Sequence, residues 1–204
     1  YPRGLAALID DEPMRFAVID AGTNSIKFHI GERERDGKWR TVVDRAEMTR
    51  LGEGLEQNGV IADAALERTV VAIADMIDEA KRHAVLATAA VGTAGLRIAS
   101  NRDMVLAAIE TRTGVRIDVI SGDEEGRLAY VAATSGLGLS AGSLVVFDTG
   151  GGSSQFTFGH DSSVDERFSV NVGAVRYTER YKLDGVVSAQ VLREAMAALA
   201  ADLS

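Results

Sequence analysis

Two short turns of matching composition are the segments of this sequence best suited to chemistry. Residues 18–25 read VIDAGTNS and residues 146–153 read VFDTGGGS, so each turn follows an apolar run that ends in an aspartate, Asp20 or Asp148. Glycine lacks a Cβ, which lets the backbone turn tightly and lets a phosphate approach its N–H groups. A carboxylate repels phosphate, so each aspartate is better suited to hold Mg²⁺ or a water bound to it. Two copies of the pattern indicate a phosphate-chain site more strongly than one.

The apolar pattern around these turns predicts an α/β chain with a mixed sheet. Ile26, Phe28 and Ile30 alternate with polar residues, which predicts a strand buried on one face. Apolar residues recur every three or four positions after residue 61, which predicts a helix. Strands are predicted at residues 15–21, 25–31, 39–48, 85–90, 116–120, 143–149, 153–159 and 167–172, helices at 61–83, 100–113, 123–133, 173–181 and 188–203, and a loop at 50–58.

The repeated plan of strand, aspartate, turn and second strand predicts a duplicated domain. We expect a flexible leader over residues 1–14, a first domain over 15–125, and the N-terminal part of a second domain over 126–204. Few elements follow residue 143, which predicts a thin core for the second domain.

Composition excludes several classes of protein. The chain has 204 residues, of which 46% are hydrophobic, and contains no cysteine, so disulfides and cysteine-ligated metals are ruled out. A net charge of −8 argues against sequence-specific nucleic-acid binding through a broad basic surface. No apolar run is long enough to span a membrane, and we recognise no secretory signal, so a cytoplasmic protein without a membrane partner is expected.

Six motifs in the same order resemble those of one known family. They are DAGTNS at 20–25, RLGEGL at 50–55, GTAGLRIASNR at 92–102, SGDEEGRL at 121–128, DTGGGSS at 148–154 and NVGAVRYTERY at 171–181. They are similar to the exopolyphosphatase / guanosine pentaphosphate phosphohydrolase (Ppx/GppA) family, a branch of the actin, sugar kinase and heat-shock ATPase superfamily. The resemblance implies duplicated ribonuclease H-like, actin-like ATPase domains with mixed sheets, of which the second is truncated here.

The resemblance also implies a role for each matching residue. Glu125 matches the catalytic base that orients and deprotonates the attacking water. Asp20 and Asp148 match carboxylates that hold a metal, Mg²⁺ or another divalent cation. Phosphate would be bound by the two loops and one arginine, namely Thr23, Asn24, Ser25, Arg97, Gly150, Gly151, Gly152 and Ser153.

The function implied is an exopolyphosphatase that releases terminal phosphate from inorganic polyphosphate. Hydrolysis of guanosine pentaphosphate would use the same parts and stays an open alternative. A kinase or ATPase of the wider superfamily and a non-catalytic sensor of phosphate chains or nucleotides also stay open. The chain could further form a homodimer. One position departs from the family, which has a glutamate where this chain has Gln155. An amide there predicts weaker or altered metal binding.

Several of these residues also have ordinary structural explanations. Acidic residues such as Glu124 and Glu125 favour the first turn of any helix. Aspartates commonly form turns, and Arg97 could be a partner in a surface salt bridge. From the residues alone a structural role is favoured for the two glutamates, and the resemblance reverses that preference.

Overall fold

The computed structural model describes residues 14–137 and 142–204. The first lobe is a mixed five-stranded sheet with helices. The lobe consists of β1 (Met14–Ala21), β2 (Ile26–Arg33), β3 (Trp39–Glu47), α1 (Leu55–Asn58), α2 (Asp63–Arg82), β4 (Ala87–Gly92), α3 (Ala94–Ile98), α4 (Arg102–Thr113) and β5 (Asp118–Val119). The strand order is β3-β2-β1-β4-β5. Strand β1 pairs antiparallel with β2 and parallel with β4, which confirms the predicted mixed sheet.

Apolar residues of the sheet and of α2 form the core of this lobe. The alternating residues Ile26, Phe28 and Ile30 of β2 are fully buried, as the sequence pattern predicts. The apolar stripe of α2, which includes Leu66 and Ile73, is buried in the same cluster. The packed sheet therefore holds the carboxyl end of β1, where Asp20 lies, in a fixed position.

The second lobe repeats the order of elements at the start of the first. It consists of α5 (Gly122–Leu137), β6 (Ser143–Thr149), β7 (Ser154–His160), β8 (Ser163–Val170), α6 (Ala174–Tyr181) and α7 (Ala189–Asp202). The three strands are antiparallel in the order β6-β7-β8, and α5 packs against their sheet. Three strands followed by a short and a long helix occur in both lobes, as expected for a duplicated domain.

Several predicted boundaries are corrected by the structure. Strand β8 begins at Ser163 rather than at 167, because Asp161 adopts a left-handed conformation (φ 53°) in a tight hairpin that pairs His160 with Ser163. The predicted loop at 50–58 contains the one-turn helix α1, and α3 was not predicted. The predicted leader, 1–14, lies outside the described residues except for Met14, which begins β1.

The predicted domain boundary between residues 125 and 126 lies inside α5, whose body packs against the second sheet. The division of the chain into domains therefore stays a prediction. None of the helices in the described ranges combines the length and apolar character needed to cross a lipid bilayer.

Candidate active site

The two glycine-bearing turns face each other across one cleft. A cavity of about 650 Å³ is lined by both turns and by Glu125. A Cβ added to Gly151 would lie 3.2 Å from the Cβ of Asn24, and one added to Gly152 would lie 2.7 Å from Thr23 Oγ1. Only a residue without a side chain lets the turns approach this closely. The lining includes ten predicted site residues, namely Asp20, Thr23, Asn24, Ser25, Glu125, Asp148, Gly150, Gly151, Gly152 and Ser153.

The second turn is held from behind by the start of α6. The N–H of Ala174 donates to the carbonyl of Gly150 at 2.9 Å, and the N–H of Val175 donates to that of Gly151 at 2.9 Å. The Arg176 side chain donates through Nε to the carbonyl of Gly152 at 3.2 Å. All three carbonyls of the turn therefore point towards α6.

This arrangement determines the direction of the N–H groups in the turn. In a planar trans peptide the carbonyl of one residue and the N–H of the next point in opposite directions. The N–H groups of Gly151, Gly152 and Ser153 must therefore point away from α6. Within the described part of the chain these three N–H groups donate to no acceptor, so they are available to an anion.

The first turn is held in the same way by the segment that follows β3. The N–H of Gly52 donates to the carbonyl of Thr23 and that of Arg50 to the carbonyl of Asn24, both at 2.8 Å. By the same peptide geometry, the N–H groups of Asn24 and Ser25 point away from this segment. The backbone N of Asn24 faces the second turn, since it would lie only 3.3 Å from a Cβ placed on Gly151.

Asp20 lies at the end of β1, directly opposite Lys27 of β2. Lys27 Nζ is 3.6 Å from Asp20 Oδ2, whereas Asp20 Oδ1 is buried and has no hydrogen-bond partner among the described residues. Burial raises the pKa of the Asp20 carboxyl, Lys27 opposes this shift, and the nearby Asp148 carboxylate adds to it. An unpaired buried carboxylate oxygen is costly unless a cation or a donor meets it.

Glu125 is placed in the cleft by the first turn of α5. Ser121 begins this turn, because its hydroxyl accepts from the N–H of Glu124 at 3.1 Å, a typical helix cap. The Glu125 carboxylate is 2.7 Å from the guanidinium of Arg97. Burial raises the pKa of Glu125, Arg97 lowers it, and the carboxylates of Asp20 and Asp148 raise it further.

Arg97 lies behind the cleft, and its side chain does not line it. One guanidinium nitrogen contacts Glu125 and the Ile120 carbonyl, and the other donates to Ser153 Oγ at 3.2 Å. The same side chain lines a neighbouring cavity beside α4 and β5. Arg97 is thus placed to orient Glu125 and the second turn, and its predicted contact with phosphate stays a prediction.

Gln155 is 1% exposed and joins this group. Its Nε2 donates to Ser153 Oγ at 2.8 Å and to Ser169 Oγ at 3.0 Å, and lies 3.4 Å from Glu125. The amide therefore supports Glu125 and the second turn.

The carboxylates of the cleft fit a divalent cation only in part. Among the described residues no three His, Asp or Glu side chains converge as a complete set of metal ligands. The unpartnered Oδ1 of Asp20 and the carboxylate of Asp148 nevertheless supply the oxygen ligands that Mg²⁺ prefers. Because Mg²⁺ usually retains several waters and also binds substrate phosphates, two carboxylates match its normal protein contribution.

Three residues of this region were missed by sequence reasoning. Lys27 reaches the cleft because the hairpin register sets it opposite Asp20. Pairing the residues of the two predicted strands across their short turn could have found it. Arg176 lies on the predicted helix 173–181 and is not among the predicted site residues, yet it contacts the second turn. Ser169 approaches Gln155 through the pairing of β7 with β8. The strand pattern predicts two successive strands here, but it does not give their register.

Comparison with known proteins places this architecture in one family. The family model described as the Ppx/GppA phosphatase family matches residues 32–204. Exopolyphosphatase 2 of Mycobacterium tuberculosis is 33% identical over 174 residues, a match that covers 81% of this chain and 54% of that protein. The chain spans about half the length of the curated exopolyphosphatases that it matches.

Solved structures agree with this assignment. The crystal structure of an exopolyphosphatase-like protein has a TM-score of 0.85 at 33% identity, covering 95% of this chain and 61% of its own. The Aquifex aeolicus member of the Ppx/GppA family has a TM-score of 0.73 at 30% identity, covering 83% of this chain and 55% of its own. The mixed α/β fold of this family, expected from the sequence motifs, is confirmed.

Proposed function

Because this chain belongs to the Ppx/GppA phosphatase family, we propose that it forms the catalytic cleft of a phosphohydrolase that releases terminal phosphate from inorganic polyphosphate. The observation that carries the proposal is the shared cleft, because both turns and the Glu125 carboxylate line the same cavity. The N–H groups of Gly151, Gly152 and Ser153 have no acceptor within the described ranges. A phosphate chain laid between the turns would receive hydrogen bonds from both lobes.

In this proposal the backbone N–H groups of both turns bind the phosphate oxygens. The transition state of phosphoryl transfer spreads negative charge over these oxygens, so positioned donors stabilise it. Lys27 adds a positive charge at the mouth of the first turn. Asp20 and Asp148 would hold a divalent cation, which when bound would neutralise charge on the phosphate chain.

Glu125 would accept a proton from the attacking water. The water oxygen bonds to the terminal phosphorus, the bridging P–O bond breaks, and the shortened chain leaves as the anion. Arg97 and Gln155 hold the Glu125 carboxylate from behind. The raised pKa of Glu125 brings its basicity closer to that needed to accept a proton near neutral pH.

A nucleotide substrate such as guanosine pentaphosphate is the second candidate, favoured by the composition of the cleft. Beyond the turns the cavity is walled by apolar residues of β1, β4 and α5, including Val18, Val91 and Leu128. Val18 and Leu128 are 44% and 39% exposed, although apolar side chains gain nothing from contact with an inorganic chain. A nucleoside could pack there while its phosphates reach the turns. Phosphate release from the two substrates, measured side by side on the full-length protein, distinguishes them.

The central test is Glu125→Gln in the full-length protein. We expect a fall in kcat of about 10²–10⁴-fold, the usual contribution of a general base, with little change in the affinity for polyphosphate. Steady-state phosphate release and calorimetric binding measure the two quantities. Glu124→Gln is the matched control, because Glu124 precedes it on the same helix but pairs with Arg127 at the surface.

A near-wild-type rate in Glu125→Gln would refute the assignment of the base. Binding of polyphosphate without any turnover in the wild-type protein would instead favour a non-catalytic sensor of phosphate chains.

A further inference from the structure

Glu56 of α1 joins the two lobes on the side of the turns opposite the cleft. Its carboxylate is 2.7 Å from Arg176 Nη1 of α6 and also pairs with Arg180, one helical turn further along. Beside it, the N–H of Gly54 donates to the carboxylate of Glu179 at 3.1 Å. We call the Glu56–Arg176–Arg180 group the interlobe clamp.

The Arg176–Glu56 pair of the interlobe clamp is more enclosed than the exposed pair of Arg112 with Glu67. The side chains of Arg176 and Glu56 are 13% and 24% exposed, whereas those of Arg112 and Glu67 in the first lobe are 42% and 57% exposed. Exposed pairs contribute little because water and salt screen them. A partly buried, multiply bonded carboxylate between two guanidinium groups is screened less and holds a defined geometry.

Arg176 connects the clamp directly to the second turn. The guanidinium that pairs with Glu56 through Nη1 also donates from Nε to the carbonyl of Gly152. This contact is one of three that turn the carbonyls of the second turn towards α6. Arg176 therefore helps to set the direction of the N–H of Ser153, which belongs to the same peptide plane as the Gly152 carbonyl.

Glu56 is connected to the first turn through the backbone of the residues before it. The N–H of Leu55, the first residue of α1, donates to the carbonyl of Gly52, and the N–H of Gly52 donates to the carbonyl of Thr23. The clamp thus joins the segment behind one turn to the helix behind the other. The clamp therefore lies between the segments that support the two sets of N–H groups.

We propose that Arg176, held by Glu56, is a positioning residue that sets the spacing and orientation of the two phosphate-binding turns. This inference rests on the proposed function, because the turns are the parts that would bind the phosphate chain. A phosphate chain that contacts both turns needs both sets of N–H donors in place at once. Loosening the clamp therefore weakens binding, even though neither Glu56 nor Arg176 lines the main cavity.

The test compares Glu56→Gln and Arg176→Lys with the control Glu67→Gln, which removes the same charge from the exposed pair with Arg112. Lysine at 176 keeps the charge but loses the Nε–H that reaches Gly152. Calorimetry measures binding of inorganic tripolyphosphate with Mg²⁺. Hydrogen exchange of the ligand-free protein measures the amides of Ala174 and Val175, which donate to the second turn.

For both clamp variants we expect affinity about tenfold weaker, the loss typical of one charge-assisted hydrogen bond. We also expect faster exchange at Ala174 and Val175, with exchange in α2 unchanged. Glu67→Gln should alter neither quantity. Clamp variants that match Glu67→Gln in affinity and exchange would overturn the proposal, as would a lowered Tm with both quantities at wild-type values.

The design separates this inference from the proposed function. If the wild-type protein binds no tripolyphosphate, the proposed function fails. The exchange data then decide alone whether the clamp holds the second turn: faster exchange supports that role and unchanged exchange overturns it.

Discussion

At the residue scale, the proposed cation ligand Asp20 holds its charge in an unfavourable environment. One carboxylate oxygen faces Lys27, and the other is buried without a partner in the described structure. Burial and the nearby Asp148 carboxylate raise its pKa, which means that the folded chain holds the charged form unfavourably. A cation bound there would relieve this cost, so the unfavourable charge is itself an argument for a cation site.

The sign of this effect gives a prediction about stability. Between the unfolded pKa of Asp20 and its raised folded pKa, the folded state retains a proton that the unfolded state has lost. This contribution to the free energy of unfolding therefore falls as pH rises through that interval, and stays low at neutral pH. We expect Asp20→Asn to raise the Tm of the ligand-free protein at pH 7 and to weaken divalent-cation binding.

Differential scanning calorimetry at neutral and acidic pH, with and without Mg²⁺, checks both effects. The gain in Tm should shrink at acidic pH, where the wild-type carboxyl is protonated. A Tm of Asp20→Asn below that of the wild type at pH 7 would contradict the argument.

At the scale of elements, α5 carries the residue proposed as the base and is positioned by close contact with the second sheet. Gly126, next to Glu125, faces β7, and a Cβ added to it would lie 2.8 Å from Thr157 Oγ1. Thr157 is 1% exposed, so its side chain is enclosed by other atoms. The glycine thus lets the first turn of α5 approach β7, although glycine is a poor helix former.

We therefore expect Gly126→Ala to destabilise the protein. Overpacking typically costs about 1–3 kcal/mol, which outweighs the helix-propensity gain of up to about 1 kcal/mol. Urea denaturation measures the change in the free energy of unfolding. Gly185→Ala is the control, because a Cβ there would meet no atom within 4 Å. A variant as stable as the wild type would show that α5 shifts freely on the sheet.

At the scale of the whole molecule, the cleft exists only because both lobes contribute to it. Each lobe supplies one turn, and the α1–α6 contacts hold the lobes together. The boundary predicted between residues 125 and 126 falls in α5. We propose that this helix moves with the second lobe, because it packs against the sheet formed by β6, β7 and β8.

A ligand that bridges both turns should stabilise both lobes together. At a free tripolyphosphate concentration 100 times Kd, linkage adds about 2.7 kcal/mol, which corresponds to a rise in Tm of about 5–10 °C for a chain of this size. We expect one cooperative transition to shift as a unit in calorimetry. A split into two transitions, with only one shifted by ligand, would indicate that the ligand contacts one turn alone.

Much of the fold follows from local sequence. The alternation of Ile26, Phe28 and Ile30 and the periodic stripe of α2 depend on residues close along the chain, and both elements form as predicted. The exceptions lie where tertiary contacts determine the secondary structure. Of the strand predicted at 116–120, only Asp118–Val119 forms β5, because only these residues pair with β4. Helix α3 forms within a segment to which the apolar pattern assigned no element.

Strand patterning and turn residues are local properties, so the amino-acid sequence was enough to predict two aspartate–glycine turns, each after a strand. How the two turns are arranged follows from contacts between residues that are distant along the chain. The pairing of Arg97 with Ser153 joins residues 56 positions apart, and that of Gly54 with Glu179 joins residues 125 apart. The directions of the N–H groups and the partners of Glu125 depend on such contacts, because packing of the two lobes, rather than local preference, brings these groups within hydrogen-bond distance.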